Sequence, residues 1–353
     1  MSAQQPGPVR IDAAQLTEAV TNIFAALGVA RDDAKIVAED LVTADLEGVS
    51  SHGVMLMPLY VERILKGSVS THHEGEVVSD REAAVVIDAQ NGLGQLTAHQ
   101  AVKLAVPRAH KFGLAAVTVR NAFHFGMAGR YARMLADQGC VGIVMSNTRP
   151  LMPAPGGAEA LVGNNPLAIA LPTTTAHPAE VDMALSATAM GKIRLAEAAG
   201  KSIPEGWAID STGRPTTSPA DAIKGMLLPA AGPKGFGLAF AIDLLCGGLS
   251  DGAVGAEVRA LYGNATEPYR CSLMFLAIHA GHFTDGQRFA ERVGAQSERV
   301  TVSKRAPGVE RIYAPGEMAY ATRLANGGTC NLSRPTVDSL IKAAASTGVT
   351  LSF

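Results

Sequence analysis

The sequence predicts an α/β protein built in two lobes. Three observations carry that prediction: apolar strands alternate with helices through the middle of the chain, both ends carry helical periodicity, and 353 residues are too many for one ordinary hydrophobic core. Hydrophobic residues make up 47% and charged residues 18%, enough to build a packed interior and unlike a disordered chain.

The elements follow in order. Residues 12–27 read as a helix, with Leu16, Val20, Ile23 and Leu27 as its apolar stripe, Asp12 and Gln15 as its cap and Gly28 as its stop. A second helix runs over 33–46 and ends at Gly48. A third starts at Pro58 and ends near Gly67. The 48–57 segment between them, which holds Ser50–Ser51–His52–Gly53, is a connection, a common setting for catalytic side chains. Helix 97–112, with Pro107 inside it, leads to strand 114–120, and helix 127–138 to strand 140–146. Strand 167–172 follows, another strand ends at Val181, and a helix spans 188–199. Residues 203–233 are rich in Pro, Gly, Ser and Thr, a stretch expected to wrap a surface or a site. Helix 234–249 is apolar enough to be internal or to face another subunit. Strand 272–279, helix 286–295 and a terminal helix over 336–346 complete the chain.

Several function classes are disfavoured. The net charge of −2 and the scattered Lys and Arg residues provide no surface for a nucleic acid backbone. No apolar stretch reaches the ~18 residues of a membrane span, and residues 1–8 lack the pattern of a secretion signal. Cys140, Cys246, Cys271 and Cys330 form no CxxC pair, and the first three lie in apolar runs. The expectation is a reduced, cytoplasmic protein. There is no GxGxxG; the glycines at 232, 235 and 237 have the wrong spacing and follow no strand, so a Rossmann dinucleotide site is disfavoured. A P-loop, an HExxH helix and a GxSxG elbow are also missing, and no metal site has sequence support.

Five motifs can carry chemistry, and each has a plainer alternative. His52 on its loop can exchange a proton near neutral pH, or it can cap or pack the Pro58 helix. Asn121–Ala122–Phe123–His124–Phe125–Gly126 follows a strand and precedes a helix, the edge where α/β folds bind ligands; a polar turn fits equally. Gly163–Asn164–Asn165–Pro166 can bond a cofactor or shape its turn. Asp182, between Val181 and Met183, can orient a histidine, accept from a cofactor, or cap the next helix. Pro233–Lys234–Gly235 opens an apolar helix, where a cation beside free amides suits an anion, or where the lysine is simply solvated.

In their order these segments resemble the malate/L-lactate dehydrogenase family, which is unrelated to the Rossmann lactate dehydrogenases. The resemblance rests on SHGV at 51–54, PLYVERI at 58–64, NAFHFGMAGRYA at 121–132, GNNPLAIALP at 163–172, VDMALS at 181–186, IPEGWAIDSTGRPTT at 203–217, LLPAAGPKGFGLAFAIDLL at 227–245 and PGE at 315–317. It implies a non-Rossmann, L-sulfolactate dehydrogenase-like fold. That fold has a mixed-sheet NAD(P)-binding domain over 111–299 and a helical, dimerising lobe, carrying the catalytic histidine, from 1–110 plus 300–353. It further implies a homodimer using NAD(H) or NADP(H) to interconvert a small 2-oxo acid and its 2-hydroxy acid. His52 would be the acid/base, with Asp182 and Ser51 beside it. Cofactor contacts would fall on His124, Asn165, Val181, Asp182, Met183, Pro233, Lys234, Gly316, Glu317 and Met318. Leu56, Tyr60, His124 and Arg149 would line the substrate pocket.

One departure from the family pattern bears on substrate. Many members carry Arg four residues after the histidine, where this chain has Leu56, and several carry a second Arg where it has Leu59. Such an arginine is a natural clamp for a carboxylate. Arg120, Arg130 and Arg149 are left as replacements. The pocket is expected to be less cationic, as in the subgroup that looks like hydroxycarboxylate dehydrogenase B, which this chain is similar to around GQLTAHQA (94–101). The alternatives are reduction of a cyclic imine carboxylate and a non-catalytic cofactor-binding protein.

Overall fold

The computed structural model describes residues 7–351; residues 1–6, most of the stretch read as lacking a secretion signal, lie outside it. The two ends of the chain meet. Strand β1 (Val9–Asp12) runs into helix α1 (Ala13–Ala26), which Asp12 caps by accepting from the N–H groups of Ala14 and Gln15, both at 3.0 Å. α1 packs its Leu16, Val20 and Ile23 stripe against α2 (Arg31–Leu46). Two tight turns over 50–52 and 54–56 then lead to α3 (Met57–Leu65), with Pro58 in its first turn.

The middle of the chain is strand-rich. It comprises β2 (Glu76–Arg81), β3 (Ala84–Asp88), α4 (Gly94–Phe112), β4 (Leu114–Ala122), α5 (Ala128–Ala136) and β5 (Cys140–Ser146). Short strands β6 (Met152–Pro153) and β7 (Ala160–Val162) precede β8 (Leu167–Leu171) and β9 (Ala179–Met183). The irregular region holds α6 (Met190–Ala198), β10 (Ala208–Ile209), α7 (Pro219–Lys224) and β11 (Met226–Leu227). The chain closes with α8 (Pro233–Asp243), β12 (Cys271–His279), α9 (Gly286–Thr301), α10 (Glu317–Asn326), β13 (Thr329–Leu332) and α11 (Arg334–Ser346).

Seven strands form one mixed sheet in the order β2-β3-β4-β12-β5-β8-β9. Only the β3–β4 pair is parallel; the other pairs are antiparallel. Side chains alternate between its two faces, as the period of a strand requires. Val144, Leu273 and Phe275 join a core shared with the terminal helices, α4 and α5. Met145, Met274 and Ile169 join a second core with Ile193 of α6 and Ile242 of α8. The four cysteines are free and buried. Among the described residues no helix is long and apolar enough to cross a membrane.

Several expectations need correction. The boundary expected at residue 110 cuts through the sheet, because β3 pairs with β4. The β2–β3 hairpin had no local signal: its turn places Glu82, not Gly or Asn, at φ 57°. The strand expected to end at Val181 continues to Met183, and the helix expected over 286–295 runs to Thr301. Helix 234–249 is α-helical only to Asp243, and Leu244–Gly248 winds into a π-turn. Its residues Ala239, Ile242 and Cys246 are buried, whereas Leu238, Phe240, Leu244, Leu245 and Leu249 stay exposed.

Candidate active site

His52 stands where α2 ends and α3 has yet to begin. The turn that carries it is held from below by Asp45, whose Oδ2 accepts the Val54 N–H at 2.8 Å. A side chain on Gly53 would lie 2.3 Å from the Asp45 carboxylate, so only glycine permits this approach. Burial raises the Asp45 pKa to about 7, against the Val54 hydrogen bond, which lowers it. Asp45 drew no notice in the sequence because its role is a contact across nine residues. His52 neither caps nor begins a helix: the residue before α3 is Leu56, and no side chain bonds that helix start.

The His52 ring is partly buried, and its surroundings hold its pKa below the ordinary imidazole value by desolvation. Its Nδ1 lies 3.0 Å from the Ser51 hydroxyl. A hydroxyl both donates and accepts, so it can serve Nδ1 in either protonation state of the ring. His124 stacks against His52, ring centroids 5.6 Å apart and planes at 30°.

His124 is held in a different state. The Tyr60 hydroxyl lies 2.9 Å from its Nδ1, and the Gly126 N–H donates to the same nitrogen at 3.4 Å. Nδ1 therefore accepts and the proton sits on Nε2. Burial, with the neighbouring His52, lowers its pKa to about 3, so His124 is a neutral donor beside a histidine that can carry charge. Gln95, at the start of α4, donates to the Tyr60 hydroxyl at 2.7 Å. Tyr60 is fully buried and does not line a pocket as expected; its hydroxyl meets His124 from inside the core. Leu56, expected in the pocket, is 2% exposed and packs into the core; the open residue of that turn is Met55, at 45%.

The loop that carries His124 also reaches β9. The Gly129 N–H at the start of α5 donates to Asp182 Oδ2 at 2.8 Å. Asp182 thus engages α5 and does not cap the helix that follows it. It makes no hydrogen bond to His52 or His124; its bond on that side is to the Gly129 N–H, next to the loop that carries His124. Burial raises its pKa, opposed by the Gly129 bond. Four residues on, Arg133 bridges two buried carboxylates, Glu47 at 2.9 Å and Glu180 at 2.8 Å. That clamp joins the end of α2, just before His52, to β9, just before Asp182.

β9 is an edge strand, and the stretches expected to hold a dinucleotide gather along it. The Glu180 N–H donates to Pro315 O at 3.3 Å, bringing Gly316 alongside, and the Ala230 N–H donates to Leu185 O at 2.8 Å, bringing the approach to Pro233 and Lys234. Val181, Met183 and Met318 are exposed apolar residues on this shelf, and Lys234 is exposed at the first turn of α8. The ground before that turn is open, for a side chain on Gly232 or Gly237 would meet nothing within 4 Å. Unpaired amides and a lysine at a helix start suit a pyrophosphate, and an apolar edge suits a ring, so these residues fit a dinucleotide. Two expected contacts are engaged elsewhere. Asn165 is fully buried; its Oδ1 accepts from the Thr148 N–H at 2.9 Å and its Nδ2 donates to Ala239 O at 2.8 Å, so it braces the fold out of a cofactor's reach. The Glu317 carboxylate accepts from Arg311 at 2.6 Å and from the Ala314 N–H at 2.9 Å.

Of the three replacement arginines, two are committed. Arg120 pairs with Asp88 at 2.9 Å, and Arg130 pairs with Asp40. Arg149 is exposed, and among the described residues its guanidinium makes no ion pair or hydrogen bond. It lies within electrostatic reach of Tyr269, whose ring packs 6.0 Å from that of Phe123, next to His124.

Known proteins match along nearly the whole chain. A profile of the malate/L-lactate dehydrogenase family covers residues 11–340. Malate dehydrogenase of Pyrococcus abyssi is 38% identical over 322 residues, 89% of this chain and 88% of that one. The (2R)-3-sulfolactate dehydrogenase (NADP(+)) of Chromohalobacter salexigens is 34% identical over 92% of this chain and 96% of its own. The ureidoglycolate dehydrogenase (NAD(+)) of Escherichia coli O157:H7 is 32% identical over 88% of each. Among solved structures, sulfolactate dehydrogenase from Methanocaldococcus jannaschii superposes with a TM-score of 0.91 at 33% identity, covering 97% of this chain and 98% of that one. The Δ1-piperideine-2-carboxylate reductase from Pseudomonas syringae pv. tomato superposes with a TM-score of 0.84 at 27% identity, covering 95% and 100%.

Proposed function

Because the chain belongs to the malate/L-lactate dehydrogenase family, we propose that it interconverts a small 2-oxo acid and its 2-hydroxy acid, with His52 as acid/base. The observation that carries this reading is the stacked pair of histidines, His52 with Nδ1 against the Ser51 hydroxyl and His124 with Nδ1 facing Tyr60 and the Gly126 N–H. Val181, Met183 and Met318 would hold the rings of NAD(H) or NADP(H), and Lys234 with the α8 amides its pyrophosphate. When bound, the nicotinamide supplies the hydride for C2 of the oxo acid, or accepts it in the reverse direction.

The residues of the chain manage the oxygen and the proton. His124 offers an uncharged Nε2–H, a donor to the substrate oxygen whose proton stays in place at any working pH. His52 in its cationic form gives its proton to the developing alkoxide; as neutral imidazole it takes the hydroxyl proton in the oxidative direction. Ser51 steadies the ring through Nδ1 in both states. Asp182 fixes the 124–129 loop and so the position of His124.

Arg149 takes the substrate carboxylate, supported by its lack of any partner. The Arg149→Ala variant is expected to raise KM for a 2-oxo acid about ten- to hundredfold, the worth of one charge-assisted pair, with the Kd for NADH unchanged. An unaltered KM removes Arg149 from this role. The deciding measurement is loss of NADH or NADPH absorbance across pyruvate, phenylpyruvate, 2-oxoglutarate, oxaloacetate, sulfopyruvate and pyrroline-2-carboxylate. Turnover of an open-chain acid is expected. Turnover of the imine alone moves the assignment to a cyclic imine reductase, the chemistry named in one structural neighbour. Silence with both cofactors leaves the family fold without this activity.

The working unit is a homodimer joined through α8 and its π-turn. Phe240 and Leu249, 52% and 58% exposed, stand with Leu238, Leu244 and Leu245 as an apolar face of the kind that marks an interface. Light scattering is expected to give twice the 36.5 kDa chain mass, and Leu245→Arg to give the monomer. A monomeric wild type contradicts the assignment.

A further inference from the structure

Three histidines meet at the end of the central sheet opposite His124. His279 is the last residue of β12 and lies across from Cys140, which opens β5. Its neighbour Ile278 lies across from Leu114, the first residue of β4, whereas His124 follows the last. His282 sits in the tight turn over 280–282 that leads to α9, and His110 in the last turn of α4. The proposed hydride chemistry makes no use of any of them.

Backbone contacts fix how the three rings meet. The His279 N–H donates to Gly113 O at 2.9 Å and the Ala280 N–H to Gly139 O at 3.2 Å, which pins the strand end between the ends of α4 and α5. The turn that follows brings His282 Nδ1 to 2.8 Å from His279 Nδ1. A side chain on Gly113 would lie 3.3 Å from the His282 ring, so that ring rests against a glycine. The His110 ring packs on that of His279, with centroids 4.0 Å apart and planes at 33°. Its Nε2 lies 2.9 Å from Gln138 O, a carbonyl that can only accept, so Nε2 donates and the ring is held in place.

Two imidazole nitrogens this close suit one another only when one carries a hydrogen and the other a lone pair. A metal ion satisfies both lone pairs at once, and imidazole is the commonest side-chain ligand for such ions. With metal–nitrogen bonds of about 2.0 Å, nitrogens at this separation subtend about 90° at the metal; a tetrahedral ion would need them roughly 3.3 Å apart. The smaller angle is that of neighbouring ligands in a square or tetragonal site, the preference of divalent copper and nickel, and copper binds nitrogen the more tightly of the two. Among the described residues no three metal-ligating side chains converge, so two histidines and water make up the ligand set.

We propose that His279 and His282 chelate one divalent copper ion through their Nδ1 atoms, in adjacent positions of a tetragonal site. His110 is a positioning residue there: its ring, stacked on His279, sets the plane of that ligand. The half-buried His279 and the exposed His282 leave the remaining positions open to water.

Titration of the full chain, carrying no affinity tag, with copper(II) alone tests this by calorimetry and by electron paramagnetic resonance. One ion per chain is expected to bind with a Kd of about 10 µM or below, giving a tetragonal spectrum with hyperfine structure from two nitrogens. His282→Ala alters an exposed turn residue, weakens binding about tenfold or more and removes one nitrogen from the spectrum. His279→Gln does the same from the strand side. His73→Ala, which removes an exposed histidine adjacent to His72, leaves affinity and spectrum unchanged. The circular dichroism spectrum stays at wild-type level in all three. The proposal is overturned by no binding at 100 µM copper (about ten times the expected Kd), by affinity or spectrum unchanged in either ligand variant, or by a loss in His73→Ala. Copper spread over several weak sites that neither ligand variant alters is an adventitious ion only, and overturns it as well. None of these readouts depends on turnover of a 2-oxo acid, so the site stands or falls apart from the proposed activity.

Discussion

His52→Gln is expected to lower kcat for 2-oxo acid reduction by roughly two to four orders of magnitude while the Kd for NADH stays near that of the wild type. Glutamine keeps a polar group in the turn but can neither deliver nor accept a full proton. The pH profile gives an independent check. Desolvation holds the His52 pKa below the ordinary imidazole value in the free enzyme. Reduction needs the cation, so its kcat/KM is highest in acid and falls as pH rises through that lowered pKa. Oxidation needs neutral imidazole, so its kcat/KM rises through the same lowered pKa and then levels. Both limbs vanish in the variant. Retained turnover, or a limb that survives the substitution, would falsify the assignment of His52 as acid/base. His124 cannot be the source of such a limb near neutrality, because its pKa is driven to about 3.

The largest expected effect on stability comes from Arg133→Met. The substitution leaves Glu180 buried without its cation and Glu47 with only the longer contact to Arg323 at 3.8 Å, a loss of about 3–5 kcal/mol for breaking a buried ion network from one side. For a chain of this size that is a fall in Tm of about 4–7 °C. The pH dependence distinguishes this cause from lost packing. Stranded carboxylates have raised pKa values in the folded state, so folding binds protons, and the deficit shrinks as pH falls towards the carboxylate range. Adding Glu180→Gln to Arg133→Met is expected to recover part of the loss. A deficit independent of pH and unmoved by the second substitution would mean that Arg133 contributes packing alone. Since Glu47 leads into the His52 turn and Glu180 precedes Asp182, the single variant is also expected to raise KM for the cofactor.

Much of the fold could be read locally, and the limits have physical causes. α1 and α2 show as apolar stripes because one face of each is buried; β4, β5, β8 and β12 show as apolar runs because both faces of the sheet are covered. β1, β13 and the β2–β3 hairpin did not show. The first two are short and depend on a partner at the other end of the chain, and the hairpin turns at a glutamate. In the site, His52, His124, Asp182 and Lys234 stood out as polar residues in turns, strand ends and helix starts beside apolar elements. Asp45, Gln95 and the Glu47–Arg133–Glu180 clamp did not, because each acts through a contact that no local spacing encodes. Asn165 and Leu56 were read as open when the fold buries both; polarity in a turn and a gap in a family pattern carry no information about exposure.

The pairing of β1 with β13 bears on how the chain comes to be folded. Val9 lies opposite Leu332, so each strand of this pair waits for a partner more than 300 residues away along the chain. Until then the inner faces of α1 and α2 lack the cover of α11, whose Val337 and Leu340 belong to the same core. Contacts at such separation close slowly, and until they close the chain carries exposed apolar surface. Completion of the central sheet is therefore not enough for the His52 lobe to settle; the β1–β13 pair and α11 must also be in place. α11 thus belongs to the folding of the catalytic turn, since it packs against the 54–56 turn and α3 that follow His52.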